Sequence, residues 1–438
     1  MAEPTSTEAR PTRAHVIHPD IGGARGQRRE PDLALAEAVA LAHALPGLEI
    51  TGAEVVKLRA PHPGKLFGKG KLAEIGVRLA EEEVDLVLID GPVSPVQQRN
   101  LEKEWSVKLL DRTGLILEIF ADRARTREGV LQVELAALAY QRTRLVRAWT
   151  HLERQRGGLG FVGGPGETQI EADRRAIDEQ MTRLRRQLEK VVRTRGLHRA
   201  ARAKVPYPIV ALVGYTNAGK STLFNRLTGA EVEAKDMLFA TLDPTMRAIR
   251  LPGAGRKDQG RQIILSDTVG FISDLPTELV AAFRATLEEV LEADLILHVR
   301  DISHPETEEQ AEDVAEILEG LGVAEDTPTI EVWNKIDALS PEAHDALIRA
   351  DARHEDVEAV SALTGEGVET LIASVDARLA EILDEPRRDD VVDLPFSDGR
   401  RRAWLHQAGV VRREEPRENG QRLHLRWTDR QKAAFEAL

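Results

Sequence analysis

The chain has no cysteine, so it can hold neither a disulfide framework nor a thiolate metal site. Its 12 histidines show no paired ligand spacing and leave no readable zinc motif. No apolar run is long enough to span a bilayer, because the stretch Leu33 to Leu45 is interrupted by Glu37 and His43 and reads as an amphipathic helix. Residues 1–30 lack the hydrophobic centre of a secretory signal and read as a disordered, charged leader. These absences point to a cytoplasmic location, with contact to a membrane surface left open.

What is present is 438 residues, enough for roughly two to four domains that each bury a core. The apolar run Ile209 to Val213 leads into Gly214-Tyr215-Thr216-Asn217-Ala218-Gly219-Lys220-Ser221, and Thr222 to Leu227 continues as a helix. Strand, glycine loop and helix is the setting of a phosphate-binding loop. Gly214 and Gly219 let successive N–H groups turn toward phosphate oxygens at a helix N-terminus. Lys220 would reach the β and γ phosphates, and the Ser221 hydroxyl would bind Mg²⁺. An ordinary glycine turn requires neither residue.

Three later segments make the expected ligands GTP and GDP. Asp267-Thr268-Val269-Gly270 ends an apolar strand, placing a carboxylate behind Mg²⁺ and the Gly270 N–H toward the γ-phosphate. Asn334-Lys335-Ile336-Asp337 follows the strand Thr329 to Trp333. The Asp337 carboxylate can accept both guanine N1–H and N2–H₂, a pair adenine lacks, so the wrong base leaves a buried charge unpaired. Ser361-Ala362-Leu363 completes the base pocket through its backbone.

Between the first two motifs, Asp236 to Thr245 has little periodicity and carries two threonines. Phe239, Ala240, Thr241, Leu242 and Asp243 are the expected nucleotide-facing residues. Thr241 is the expected second Mg²⁺ ligand, with Thr245 the alternative. Lys220, Gly270 and Thr241 form the candidate catalytic set. Phe271 stands where many GTPases place a water-orienting glutamine; turnover should be slow alone and need a partner, or Phe271 packs under the switch loop. The Asn217 side-chain oxygen could hold K⁺ near the phosphates.

The net charge of −13 disguises a local excess. Residues 142–204 carry sixteen Lys/Arg against seven Asp/Glu. Leu131, Leu135, Leu138, Leu145, Trp149 and Leu152 form one heptad seam, and Ile177, Met181, Leu184, Leu188 and Val191 form another. Joined by Gly157 to Gly166, they predict an antiparallel coiled-coil hairpin of about 25 residues per arm, about 35 to 40 Å long. Its arginines, Arg154, Arg156, Arg174 and Arg175 among them, could neutralise RNA phosphates while the thin tip enters a cavity. A solvated helical spacer is the plainer alternative.

The expected fold is α/β and multidomain. An N-terminal α/β domain spans 31–125, with strands at Glu54 to Lys57, Val84 to Ile89 and Val107 to Leu110 and helices at Lys71 to Glu82 and Gln97 to Glu104. The basic hairpin spans 126–204, a P-loop domain with a doubly wound, mostly parallel sheet spans 205–384, and a small α+β module spans 385–438. Within that module, Glu385 to Asp389 reads as linker, Asp398 to Gln407 as helix and the segments around Asn419-Gly420 as a β-hairpin. Gly68-Lys69-Gly70-Lys71 reads as a turn and helix start, with a second phosphate site the weaker alternative, since no Ser/Thr or acidic partner follows the lysine at the needed spacing.

Gly214 to Asn225, Leu238 to Thr245 and Asp267 to Ile272 resemble the HflX family of translational GTPases, as do Gln97 to Glu102, Asp111 to Ile116 and Gly164 to Glu171. The likeness runs from about residue 31 to the C-terminus. It implies binding to the large ribosomal subunit and its rRNA, and splitting or rescue of stalled or idle ribosomes. It also implies that the tip residues Gly160, Phe161, Gly164, Pro165, Gly166 and Glu167 reach the peptidyl-transferase region. A monomer is expected. Two other classes remain beside this reading: an RNA-binding assembly scaffold that uses GTP structurally, and a signalling GTPase with a protein partner.

Overall fold

Ten residues that include two histidines and an aspartate, Thr12–Ile21, form strand β1 inside a parallel sheet. The computed structural model describes residues 10–22, 29–155, 165–202, 207–229, 238–239, 245–251, 260–273, 288–324, 326–351, 356–383, 388–417 and 420–436. The expectation of a disordered leader over residues 1–30 therefore fails at β1. Its reason is polar satisfaction: Ala14, Val16 and Ile17 are buried, while His15 bonds Glu82 and His18 bonds Asp90. The polar residues that mask the strand pattern are thus paired inside the fold.

The chain divides into two units, Met1–Leu371 and Ile372–Leu438. The first holds two sheets. In the N-terminal one, β1 lies between β2 (Leu48–Leu58) and β3 (Leu86–Ile89), and β4 (Lys108–Asp111) flanks β3. All pairs are parallel, so helices must cross between strands. Helix α1 (Pro31–Ala44) covers one face. Helices α2 (Lys69–Glu81) and α3 (Pro95–Trp105) cover the other, packing Ile75, Leu79, Leu101 and Trp105 on Val87 and Ile89. A capping box between Ser94 and Gln97, with Pro95 behind it, sets the start of α3. Lys71 is spent on Glu54 and Glu74, as suits a helix start.

Helix α4 (Arg112–Arg123) buries Leu115, Ile116, Leu117, Ile119 and Phe120, each contributing about 1.5 to 3 kcal/mol. Helices α5 (Arg127–Gln155) and α6 (Pro165–Arg202) then make the hairpin. Their 29 and 38 residues, about 43 and 57 Å at 1.5 Å per residue, exceed the expected arms. Leu131, Met181 and Leu184 are buried in the seam, and Arg142 pairs with Asp178 at 2.8 Å. The hairpin base is tied down by Asp111, which accepts from Tyr140 at 2.6 Å and from Arg144 at 2.8 Å.

The second sheet runs β10-β9-β8-β5-β7-β6, with β5 Ile209–Val213, β6 Thr245–Arg250, β7 Gln262–Asp267, β8 Leu295–Asp301, β9 Thr329–Asn334 and β10 Val357–Ala359. Only β6 is antiparallel. Helix α7 (Lys220–Thr228) follows β5, and one apolar cluster runs from the α1 and α4 face to Tyr215, Phe239, Phe271 and Ile272. In the C-terminal unit, strands Arg388–Pro395, Val411–Arg417 and Gly420–Trp427 form an antiparallel sheet around Leu423, Leu425 and Trp427. Its first strand starts at Arg388, inside the expected linker. Among the described residues no helix is long and apolar enough to cross a membrane.

Candidate functional site

The phosphate loop leaves β5 at its carboxyl end and enters α7 at Lys220. Gly219 has φ +94°, and a Cβ there would lie 2.1 Å from Asn334 Nδ2, so only glycine lets the base-reading loop approach. Asn217 also adopts positive φ, at +60°, which asparagine tolerates, and its side chain is exposed. Lys220 is buried and donates to the Gly214 carbonyl at 3.0 Å and the Tyr215 carbonyl at 2.7 Å. Burial pushes its ammonium down to about 8, and Asp267 offsets only part of this.

Ser221 Oγ donates to Asp267 Oδ2 at 2.7 Å. A hydroxyl beside a buried carboxylate at a phosphate loop is a hard oxygen set that fits Mg²⁺. Thr268 Oγ1 donates to the Leu212 carbonyl at 2.6 Å and fixes the loop after β7 onto β5. Gly270 sits against the phosphate loop, since a Cβ there would lie 2.9 Å from Thr216 Cγ2 and 3.1 Å from Lys220 Nζ. The next residue is paired to that loop: Thr216 N–H donates to the Phe271 carbonyl at 2.7 Å, and Phe271 N–H to the Gly214 carbonyl at 3.1 Å. Phe271 and Val269 are buried in the apolar cluster that also holds Leu238 and Phe239.

The base-reading loops are held by each other. Asn334 Nδ2 donates to the Ala218 carbonyl at 2.7 Å, and its Oδ1 accepts from Ala362 N–H at 2.9 Å. Ser361 Oγ donates to Asp337 Oδ1 at 2.5 Å and accepts from Thr364 N–H at 3.0 Å, which orients the carboxylate. Arg226 of α7 donates to the Ala362 carbonyl at 2.6 Å and to that of Leu363, whose side chain is 70% exposed. Lys335, at φ +66°, pairs with Asp301 at 2.7 Å, and Ile336 is buried.

Two expected nucleotide contacts point elsewhere. The Tyr215 hydroxyl donates to Glu37 Oε2 at 2.6 Å, and burial together with Glu37 raises its pKa. Phe239 meets Phe120 edge to face, with ring centroids 4.6 Å apart. Both side chains therefore serve the packing of the N-terminal sheet on this one, leaving Tyr215 only its backbone for the nucleotide loop. Ala240, Thr241, Leu242 and Asp243 lie outside the described residues. Thr245, the alternative switch threonine, opens β6 opposite Asp267. Of the expected RNA contacts, Arg174 and Arg175 are exposed on α6; Pro165, Gly166 and Glu167 open α6, and Arg154 lies near the end of α5. Arg156, Gly160, Phe161 and Gly164 lie outside the described residues.

Arg29, Glu37, Arg112 and Ser273 were not legible as site residues. They form a buried polar cluster on the far side of Tyr215, with Arg112 within 3.1 Å of the Ser273 carbonyl. The sequence signals were Glu37 interrupting an apolar stretch, which alone reads as a solvent face, and Arg112 lying in the family-like segment Asp111 to Ile116, which gives it no role.

Four family models match the chain: GTP-binding GTPase N-terminal over residues 32–121, GTP-binding GTPase Middle Region over 123–202, 50S ribosome-binding GTPase over 209–335 and HflX C-terminal domain over 346–437. The chain is 54% identical over 366 residues to the GTPase HflX of Magnetococcus marinus, covering 83% of this chain and 82% of that one. It is 46% identical over 364 residues to the GTPase HflX of Escherichia coli, again covering 83% and 82%. With the GTPase HflX of Caldanaerobacter subterraneus it shares 42% identity over 376 residues, covering 85% and 83%.

Proposed function

Since the chain belongs to the HflX family and is a GTPase, we propose that it binds the large ribosomal subunit and promotes dissociation or rescue of stalled or idle ribosomes. GTP hydrolysis is switched on by the ribosome and releases the protein. The observation that carries this reading is the basic hairpin α5–α6, anchored at its base to Asp111 beside the sheet that packs on the nucleotide site. The match of the P-loop domain, residues 209–335, to a 50S ribosome-binding GTPase model supports the same partner.

In this mechanism the phosphate loop cradles GTP through its N–H groups, and Lys220 exchanges the carbonyls of Gly214 and Tyr215 for phosphate oxygens. Asp337, held by Ser361, reads guanine. Mg²⁺, which P-loop GTPases use, would be held by Ser221 and Thr241 with Asp267 behind, and when bound it offsets the charge of the β and γ phosphates. K⁺ beside Asn217 would add positive charge to the same oxygens. Gly270 N–H meets the γ-phosphate, and buried Phe271 offers no water-orienting group, so turnover waits for the ribosome. Arg154, Arg156, Arg174 and Arg175 neutralise rRNA phosphates along the arms while residues 160–167 enter the subunit. The protein acts as a monomer in the cytoplasm.

Steady-state GTP hydrolysis at matched salt tests the proposal, alone, with purified large subunit and with small subunit. A strong rise with the large subunit only is expected. No rise with either would return the search to a protein partner or a scaffold role.

A further inference from the structure

The N-terminal sheet reverses its winding between β1 and β3, whose following helices α1 and α3 cover opposite faces. In doubly wound sheets, such a reversal leaves a crevice at the carboxyl ends of the strands where ligands bind. Here, that end carries Asp90 after β3 and Arg112 after β4, with Glu37 reaching over from α1. What they grip is a segment of the same chain.

Arg112 donates to Asp90 Oδ1 at 2.6 Å and to Glu37 Oε1 at 2.5 Å. Its Nη2 also donates to the Ser273 carbonyl at 3.1 Å and Oγ at 3.2 Å. Arg29 adds a contact to Ser273 Oγ at 2.7 Å. Burial alone would raise the Glu37 carboxyl, but Arg112 and Arg29 overcome it and hold it below the usual carboxylate range. Buried charges of this kind keep a defined geometry because each needs the other. Ser273 N–H donates to the Tyr215 hydroxyl at 2.9 Å, and that hydroxyl donates onward to Glu37. Residues 271–273 thus hang from the phosphate loop at Phe271 and from the cluster at Ser273, with Gly270 immediately before them.

We propose that Glu37 and Arg112 are positioning residues for GTP hydrolysis, acting across the two sheets to fix the peptide after Gly270 against Tyr215. They act through Ser273 and Tyr215, and their side-chain bonds go to those residues, Arg29 and Asp90. Displacing a γ-phosphate donor by about 1 Å can cost about a hundredfold in rate, so the cluster sets the rate of the chemical step and leaves nucleotide affinity nearly alone.

Single-turnover hydrolysis by the full chain tests this with Glu37→Gln, Arg112→Lys, their double variant and Tyr215→Phe, which removes the shared hydroxyl without stranding a cation. The hydrolysis rate should fall roughly 10- to 100-fold in each while half-saturation by GTP and affinity for GDP change less than about threefold. The double variant should be no slower than the slower single one, as expected of groups acting as a unit. Amide exchange at 270–273 should quicken. Unchanged or faster hydrolysis in folded Tyr215→Phe overturns the proposal. Losses that track GDP affinity or cooperative unfolding in every variant also overturn it, since they mark a merely structural cluster. Ribosomal stimulation is not used in these readouts, so their failure is separable from failure of the ribosomal role.

Discussion

Asn334 donates its side-chain N–H to the Ala218 carbonyl at 2.7 Å, so the residue that opens the base-reading motif also holds the middle of the phosphate loop. With its oxygen taken by Ala362 N–H, the side chain braces two loops. Asn334→Ala should therefore weaken GTP and GDP alike, by about 1 to 3 kcal/mol, with their affinity ratio unchanged. Equilibrium titration with fluorescent forms of both nucleotides checks this.

Asp337 behaves differently because Ser361 holds one of its oxygens at 2.5 Å and fixes its plane. Asp337→Asn replaces one acceptor by a donor facing guanine N1–H or N2–H₂. GTP affinity should fall by about 2 to 4 kcal/mol, while xanthine nucleotide, with a carbonyl at C2, should bind better than to the parent chain. Competition between the two nucleotides measures the reversal.

Lys220 has its pKa depressed to about 8 against an ordinary 10.5. Between these values the unfolded chain holds a proton that the folded one does not, so this group adds stability as pH rises from about 8 to about 10.5. Phosphate oxygens restore the charged form, so GTP binding at pH of about 8.5 to 9 should take up protons and weaken as pH rises further. Calorimetry in two buffers of different ionisation enthalpy reads the uptake directly.

Phe120 meets Phe239 edge to face and is fully buried. Phe120→Ala should cost about 3 to 5 kcal/mol, measured by denaturant unfolding, and should loosen the segment that carries Phe239.

β1 lies inside its sheet, so a chain beginning at residue 22 should lose protected amides in β2, β3 and β4, whereas one beginning at residue 11 should keep them. Hydrogen exchange distinguishes the two.

The nucleotide motifs were legible because each places its chemistry in a short contiguous segment at a strand end. The strands β5 and β9 fall within a residue of where the apolar runs put them, and β7 ends at Asp267 as expected. Strand β1 was illegible because His15 and His18 break its pattern, and only their partners Glu82 and Asp90, far along the chain, make them acceptable inside. The length of the hairpin was underestimated because α5 and α6 continue through polar sequence that the seam alone does not count.

By itself the sequence determined that this chain is a GTPase, since the segments Gly214 to Ser221, Asp267 to Gly270 and Asn334 to Asp337 need only local order to be recognised. Tertiary structure decided where Tyr215 and Phe239 point, and that Glu37, Arg112 and Ser273 converge. Those contacts join residues as far apart as 236 positions, and topology, not local propensity, sets which distant side chains share one buried, low-dielectric place.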